Sequence, residues 1–127
     1  MKKTKFYICP HCRNTVDMVY DTDIRLYCCG DEMEELIPNT VEASGEKHLP
    51  AVTLGEGFVE VRVGAVDHPM ENVHWIEWVQ LVTDQGIQRK WLNPGQAPRV
   101  IFLLGDEKPT AVYAYCNLHG LWKTELN

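Results

Sequence analysis

The sequence of 127 residues lacks the features that mark several common classes of protein. No long hydrophobic run is present: aliphatic and aromatic runs such as Val100 to Leu104 are far shorter than the ~20 residues that a membrane-spanning helix needs. Positive charge is also scarce, because 12 lysines and arginines face 18 aspartates and glutamates, for a formal net charge of −6. Proteins that bind nucleic acid normally carry a basic patch, so this balance argues against a nucleic-acid partner.

Targeting and low-complexity segments are missing as well. Met1, Lys2 and Lys3 could open a signal peptide, but no apolar segment follows them before Cys9. No long charge run or Pro/Gly/Ser tract indicates disorder, and the hydrophobic fraction of 45% is enough for a packed core. We therefore expect a soluble, cytoplasmic protein of one or two small domains, without a membrane partner.

The five cysteines are an odd number, which disfavours a framework built only of disulfides. Cys9 and Cys12 form a C-x2-C motif, Cys28 and Cys29 are adjacent, and Cys116 stands alone. Adjacent cysteines bridge each other only through a strained ring, and a cytosolic chain keeps its thiols reduced. The clustered thiols therefore predict metal binding.

The first four cysteines supply enough soft thiolates for one tetrahedral metal ion. From the spacing alone, a structural zinc site and an iron–thiolate centre both fit. The directly adjacent second pair is unusual for zinc ribbons, which prefer two C-x2-C arms, and this shifts the interpretation towards iron. His11 lies between the first two cysteines, but four thiolates leave no vacancy, so we interpret it as a solvent-facing loop residue.

The other four histidines lie at the edges of predicted strands. Each alone is more often a loop or core residue than a ligand, but Cys116 and His119 form a C-x2-H pair of the kind that binds metals. With Cys116 the histidines make five candidate ligands, more than the four that zinc takes, and such a mixed set suits a redox-active iron. They predict electron transfer to a small oxygen species, at a centre formed by His48, His68, His74, Cys116 and His119.

Hydrophobic patterning divides the chain into two parts. Residues 1–37 have too little apolar material for a core, so we expect a small domain stabilised by its metal. From 38 to 127 the pattern predicts about seven short antiparallel strands in a sandwich or barrel, including 58–66, 74–82, 87–92, 100–104, 110–116 and 121–126.

Within these strands, alternation places Val59, Val61 and Val63 on one face of 58–66. In the strand at 74–82 it places Ile76, Trp78 and Val82 together. The four tryptophans are interpreted as core residues or as packing around a metal site: Trp75, Trp78, Trp91 and Trp122.

Six motifs together resemble desulfoferrodoxin, the family of two-iron superoxide reductases. They occur in the family's order, span nearly the whole chain, and include all five cysteines and four of the five histidines. The motifs are Cys9-Pro10-His11-Cys12, Cys28-Cys29-Gly30, Glu46-Lys47-His48-Leu49-Pro50, His68-Pro69-Met70, His74-Trp75-Ile76-Glu77-Trp78 and Cys116-Asn117-Leu118-His119-Gly120-Leu121-Trp122.

The resemblance implies an all-β protein with two iron ions. Residues 1–37 would be a desulforedoxin-like domain whose iron is held by Cys9, Cys12, Cys28 and Cys29. Residues 38–127 would be an immunoglobulin-like antiparallel β-sandwich with the second iron. Its ligands would be an axial Cys116 and four equatorial histidines, of which His119 binds through Nδ1 and the others through Nε2: His48, His68, His74 and His119.

The implied activity is the one-electron reduction of superoxide to hydrogen peroxide, without dismutation. Lys47 would attract the entering anion, and Glu46 would occupy the open position of the oxidised centre. The implied partners are a second copy of the chain, in a homodimer, and a rubredoxin-like electron donor.

On the residues alone, two other classes of protein stay open. The chain could be a rubredoxin-like electron-transfer protein in which the histidines are incidental. It could instead be a zinc-stabilised binding module without redox chemistry. Metal content and the visible spectrum of the oxidised protein separate these two readings from the enzyme.

Overall fold

The computed structural model describes residues 3–126, and almost all of their regular structure is β-strand. Within that range the only helix is a single turn, α1, at Gly45–His48. No helix there is long and apolar enough to cross a membrane. The chain divides into two compact units, Met1–Ile37 and Pro38–Asn127. The predicted all-β fold is confirmed.

The first unit contains five short strands and very little core. β1 pairs antiparallel with β2 and β5, and β3 pairs with β4. Among its described residues, only Phe6, Cys9 and Met33 are buried hydrophobic side chains. Apolar burial this small is a weak source of stability, which a bound metal ion would supplement. The strands are β1 (Phe6–Ile8), β2 (Thr15–Asp17), β3 (Tyr27–Cys28), β4 (Asp31–Glu32) and β5 (Glu34–Glu35).

The second unit consists of two antiparallel sheets, in the strand orders β10-β7-β6 and β12-β11-β8-β9. Short turns join most consecutive strands, as the spacing of Gly, Pro and Asp in the sequence predicts. Its strands are β6 (Pro50–Gly55), β7 (Phe58–Val63), β8 (Ile76–Thr83), β9 (Ile87–Trp91), β10 (Arg99–Leu103), β11 (Pro109–Cys116) and β12 (Gly120–Glu125).

The hydrophobic core of this unit lies between the two sheets. Val59, Val61 and Val63 of β7 are fully buried, which confirms the predicted alternation. Val79 and Leu81 of β8 belong to the same buried cluster and come from the other sheet. Each fully buried aliphatic side chain contributes about 1.5–3 kcal/mol to folding. The core therefore fixes the relative position of the strand ends that carry the second group of candidate ligands.

β8 departs from the predicted alternation. β11 pairs Cys116 with Ile76 and Tyr115 with Trp78, so Glu77 is an extra residue in β8. Such a bulge reverses the faces of the residues that follow it. Ile76 joins the core, but Trp78 stacks on Tyr115 with ring centroids 5.6 Å apart. The prediction that Ile76, Trp78 and Val82 share one face is therefore wrong.

The interpretation of the tryptophans needs one correction. Trp78 and Trp122 are buried, whereas Trp91 is 71% exposed. Trp91 lies on β9, an edge strand, and is paired with Trp78 across the ladder. The interpretation of Trp91 as a core or metal-site residue is therefore wrong: it is an exposed residue of an edge strand.

Candidate metal centres

The first unit brings four thiols to one point. The sulfur atoms of Cys9, Cys12, Cys28 and Cys29 all lie within 4.8 Å of one another. Cys9 and Cys12 flank the turn after β1, while Cys28 ends β3 and Cys29 begins the turn to β4. That second turn is completed by Gly30 at φ 81°, in the left-handed region that glycine enters without steric cost.

Backbone N–H groups point at these sulfurs. His11 and Cys12 both donate to Cys9 Sγ at 3.4 Å, and Asn14 donates to Cys12 Sγ at 3.4 Å. The N–H of Cys12, and then that of His11, lower the pKa of Cys9 to about 6. Hydrogen bonds with Cys12 and then Cys9 raise the pKa of Cys29 to about 12. The four thiols therefore cannot all ionise without a cation between them, and a divalent metal ion fits.

His11 is not part of this cluster. Its side chain is 53% exposed and forms an ion pair with Asp31. The carboxylate of Asp31 raises the pKa of His11, first through their hydrogen bond. This agrees with its interpretation as a solvent-facing loop residue.

The second unit brings five further candidate ligands together at one end of its sheets. His48 ends α1, His68 and His74 lie between β7 and β8, Cys116 ends β11, and His119 precedes β12. The ligand atoms of the first three histidines and Cys116 lie within 4.8 Å of one another. Nδ1 of His119 lies 3.1 Å from Nε2 of His48 and 3.7 Å from Sγ of Cys116.

Two of these histidines have a defined tautomer. Nδ1 of His48 lies 2.7 Å from the carbonyl of Ser44, and Nδ1 of His68 lies 2.6 Å from the carbonyl of Pro69. A carbonyl only accepts, so each Nδ1 carries the proton and each Nε2 presents a lone pair. These two Nε2 atoms are 3.2 Å apart. Two lone pairs at that distance repel each other unless a cation lies between them.

The third histidine gives a second sign that this cluster is a cation site. Nε2 of His74 is buried and has no hydrogen-bond partner. Buried polar atoms are rarely left unsatisfied, because desolvation without a partner is costly. The lone pairs of His48 and His68 and the unpartnered nitrogen of His74 belong to one cluster, and a metal ion would satisfy all of them.

The protonation states suit such an ion. Burial lowers the pKa of His48 and His74, and it lowers that of His68 to about 4. These imidazoles are therefore neutral near pH 7, which is the form that binds metals. Burial raises the pKa of the Cys116 thiol. The backbone N–H of His119, which donates to its sulfur at 3.4 Å, lowers this pKa and offsets part of the increase. A metal ion would displace that thiol proton.

Trp122 packs on the cluster. Its ring stacks on His48, with centroids 4.9 Å apart and planes 25° apart, and its Nε1 donates to the carbonyl of His119 at 3.1 Å. It is 4% exposed, so it excludes water from that side. The prediction of packing around the metal site holds for this tryptophan.

Glu46 and Lys47 lie on α1, directly before His48, and both are exposed. Burial is the main cause of the lowered pKa of His48 and His74, and the positive charge of Lys47 makes a smaller contribution in the same direction. The ammonium group is therefore electrostatically coupled to two of the rings. Among the described residues, no hydrogen bond or ion pair is found between the carboxylate of Glu46 and the cluster.

Comparison with known proteins identifies the family. A family model described as Desulfoferrodoxin matches residues 40–125, which are more than half of the chain. The chain belongs to the desulfoferrodoxin family. The desulfoferrodoxin of Desulfarculus baarsii is 40% identical to it over 124 residues, covering 98% of each protein. That of Nitratidesulfovibrio vulgaris is 41% identical over 121 residues, covering 95% of each.

Solved structures agree with this membership in the desulfoferrodoxin family. The superoxide reductase from Treponema pallidum has a TM-score of 0.82 and 34% identity, covering 98% of this chain and 100% of its own. The superoxide reductase (1Fe-SOR) from Giardia intestinalis has a TM-score of 0.57 and 31% identity, covering 65% of this chain and 98% of its own.

Proposed function

We propose that this member of the desulfoferrodoxin family is a superoxide reductase, which reduces superoxide to hydrogen peroxide by one electron and two protons, without dismutation. The observation that carries the proposal is the convergence of nitrogens from four histidines with the Cys116 sulfur at one largely buried point: His48, His68, His74 and His119. The relatives named superoxide reductase support it.

Each centre would hold one iron ion. Cys9, Cys12, Cys28 and Cys29 would bind the first, and the four histidines with Cys116 would bind the second. The second iron, when bound, would supply the single electron that superoxide receives. Zinc has no such chemistry, because it does not change oxidation state.

The residues of the chain would tune this centre in three ways. The neutral imidazoles leave the Cys116 thiolate as the only negative ligand, so a ferrous ion keeps a net charge of about +1. The N–H of His119 stabilises the thiolate. Lys47 adds a positive charge beside the rings and would draw superoxide towards the centre of a protein whose formal charge is −6.

Glu46 has a different proposed role. Its carboxylate would bind the oxidised centre after electron transfer and leave again on reduction. Its place on the same turn as Lys47, two residues before His48, and its exposed side chain support this role.

The two units would divide the work. Residues 1–37 would form a desulforedoxin-like domain, and residues 38–127 the superoxide reductase domain. The superoxide reductase (1Fe-SOR) from Giardia intestinalis supports this division, since 98% of its length matches only 65% of this chain. We further propose a cytoplasmic homodimer that receives electrons from a rubredoxin-like donor.

Stoichiometry tests the proposed activity. The reduced protein is mixed with superoxide, and hydrogen peroxide and dioxygen are measured together with its iron content. A reductase yields one hydrogen peroxide per superoxide and no dioxygen. Dismutation instead yields one hydrogen peroxide and one dioxygen from every two superoxide ions. Iron in the four-cysteine centre alone, without peroxide formation, would instead indicate an electron carrier, and zinc alone would indicate a binding module.

A further inference from the structure

The rings of the candidate ligands are held in place in different ways. His48 and His68 are each fixed by a hydrogen bond from Nδ1 to a carbonyl of their own segment, at 2.7 and 2.6 Å. Among the described residues His74 has no ring hydrogen bond of this kind, and its Nε2 is unpartnered. Its segment is also irregular, with only an isolated bridge between Glu71 and His74 before β8 begins. Something other than its ring must hold His74 in place.

Asn117 clamps the backbone on both sides of His74. Its Oδ1 accepts from the N–H of Trp75 at 2.9 Å, and its Nδ2 donates to the carbonyl of Val73 at 3.0 Å. Its own backbone N–H donates to the carbonyl of Trp75 at 3.2 Å. Asn117 follows Cys116 directly in the chain. Three hydrogen bonds therefore join the segment of one candidate ligand to the neighbour of another.

We propose that Asn117 is a positioning residue, which holds His74 at a fixed distance and angle from Cys116. The inference rests on the proposed function, because it assumes that these two side chains share a metal ion. Residues that orient metal ligands typically change metal affinity by about 10–100-fold when they are replaced. The amide is suited to this task, because it offers one donor to the carbonyl of Val73 and one acceptor to the N–H of Trp75, in the irregular segment before β8 begins.

The test compares two asparagine clamps in the same unit. Asn39 makes the same pair of bonds with Lys123, donating to its carbonyl at 3.1 Å and accepting from its N–H at 2.8 Å. Asn117→Ala removes the clamp beside His74. Asn39→Gly removes the other clamp, and glycine tolerates the φ of 63° at that position. Asn117→Asp keeps the acceptor for Trp75 and loses the donor to Val73, so it serves if the alanine variant does not fold.

The readouts are the thiolate-to-iron band of the oxidised histidine centre and the affinity of that centre for ferrous iron, measured against a chelator. We expect Asn117→Ala to shift the band and to lower the affinity about 10-fold, and Asn117→Asp to do both to a lesser degree. Asn39→Gly should leave the band in place, although urea unfolding shows a loss of stability.

Two outcomes would overturn the inference. One is an unchanged band and affinity in Asn117→Ala. The other is an equal fall of affinity in Asn117→Ala and Asn39→Gly without any shift of the band, which would show a general loss of stability. If wild-type protein binds no iron at the histidines, the proposed function itself fails, and this is seen before any variant is compared.

Discussion

At the scale of single residues, Cys116 shows how the fold prepares a ligand. It is fully buried at the end of β11, where burial raises the pKa of its thiol. A buried thiolate without a cation would be costly, since charge in a medium of low polarity is poorly solvated. The neighbouring N–H of His119 offsets only part of that cost. A metal ion is the natural counter-charge.

Replacing Cys116 tests this directly. Cys116→Ser should abolish the thiolate-to-iron band of the histidine centre, because a serine oxygen cannot supply the sulfur-to-iron transition. The spectrum of the four-cysteine centre should be unchanged. Visible spectra of both oxidised proteins make the comparison. Persistence of both bands in the variant would remove Cys116 from the site.

Lys47 is the residue whose charge should control encounter with superoxide. The whole protein has a formal charge of −6 and repels the anion, whereas Lys47 directly precedes His48 on α1 and its charge acts on the rings of His48 and His74. Local charges of this kind change association rates by about 10–10³-fold, so Lys47→Ala should slow the bimolecular reaction by ~10-fold. The wild-type rate should fall as salt rises, because screening at ~0.15 M acts beyond about 8 Å, and this slope should flatten or change sign in the variant. Pulse radiolysis across a salt series measures both.

Lys108→Ala is the matched control. It removes the same charge from the turn beside Asp84, at the end of β8 remote from His74. Eight strand residues separate the two ends, a length of ~26 Å, well beyond the screening distance. A Lys47→Ala protein that reacts as fast as Lys108→Ala, with the same salt slope, would reduce Lys47 to an ordinary surface charge.

The sequence predicts which residues bind metal more readily than it predicts the hydrogen bonds that orient them. Cysteine and histidine are uncommon and have few roles, so their spacing in the sequence indicates metal binding. The carbonyls of Ser44 and Pro69, which set the tautomers of His48 and His68, have no signal in the sequence, because every residue has a carbonyl. Asn117 lies within the motif at 116–122, but its side-chain hydrogen bonds to Val73 and Trp75 join residues more than forty positions apart, which local sequence does not predict.

At the scale of elements, α1 depends on a glycine in the turn after β7. A Cβ on Gly64 would lie 2.4 Å from the carbonyl oxygen of Glu46 and 2.7 Å from the carbonyl carbon of Lys47. Both are backbone atoms, so they cannot rotate away. The carbonyl of Glu46 also accepts from the N–H of Val66 at 3.1 Å. The backbone of α1 therefore packs directly against the turn that follows β7.

Gly64→Ala should displace α1 and with it the side chains of Glu46, Lys47 and His48. We expect a loss of about 1–3 kcal/mol of stability, as for other overpacked sites, together with weaker iron binding at His48. Gly86→Ala is the control: a Cβ there meets nothing within 4 Å, and the change should stay within about 0.5 kcal/mol. Urea unfolding and iron content measure the two effects. Equal stability and equal iron content in the two variants would mean that α1 can shift without affecting the second centre.

Strands were predictable where one face is buried and the alternation is regular. β7 shows this, with three buried valines. β8 does not, because the bulge at Glu77 is a property of its pairing with β11, which the local sequence does not contain. The strand at Pro50–Gly55 and the single turn of α1 were not predicted individually, because β6 shows no regular alternation of buried and exposed residues and α1 has only four residues. These unpredicted features adjoin the second centre: α1 carries His48 directly, and the bulge lies beside Cys116.

At the scale of the whole molecule, the two units differ in what stabilises them. The second has a continuous core between its sheets, whereas the first has only three buried hydrophobic side chains among its described residues. The first unit should therefore depend on its metal for folding far more than the second. Each candidate centre draws its ligands from one unit alone.

This separation predicts the outcome of damaging the first centre. Cys12→Ser should disturb or empty the four-cysteine site, because a soft thiolate site tolerates an oxygen ligand poorly. The second unit keeps its core and its own ligands, so the reaction of the reduced protein with superoxide should largely survive, and the band of the histidine centre should stay in place. Cys116→Ser gives the reciprocal pattern. Spectra, iron content and pulse radiolysis on the two full-length variants make the comparison. Complete loss of reactivity in a Cys12→Ser protein whose histidine centre is still loaded would mean that the four-cysteine iron takes part in the chemistry.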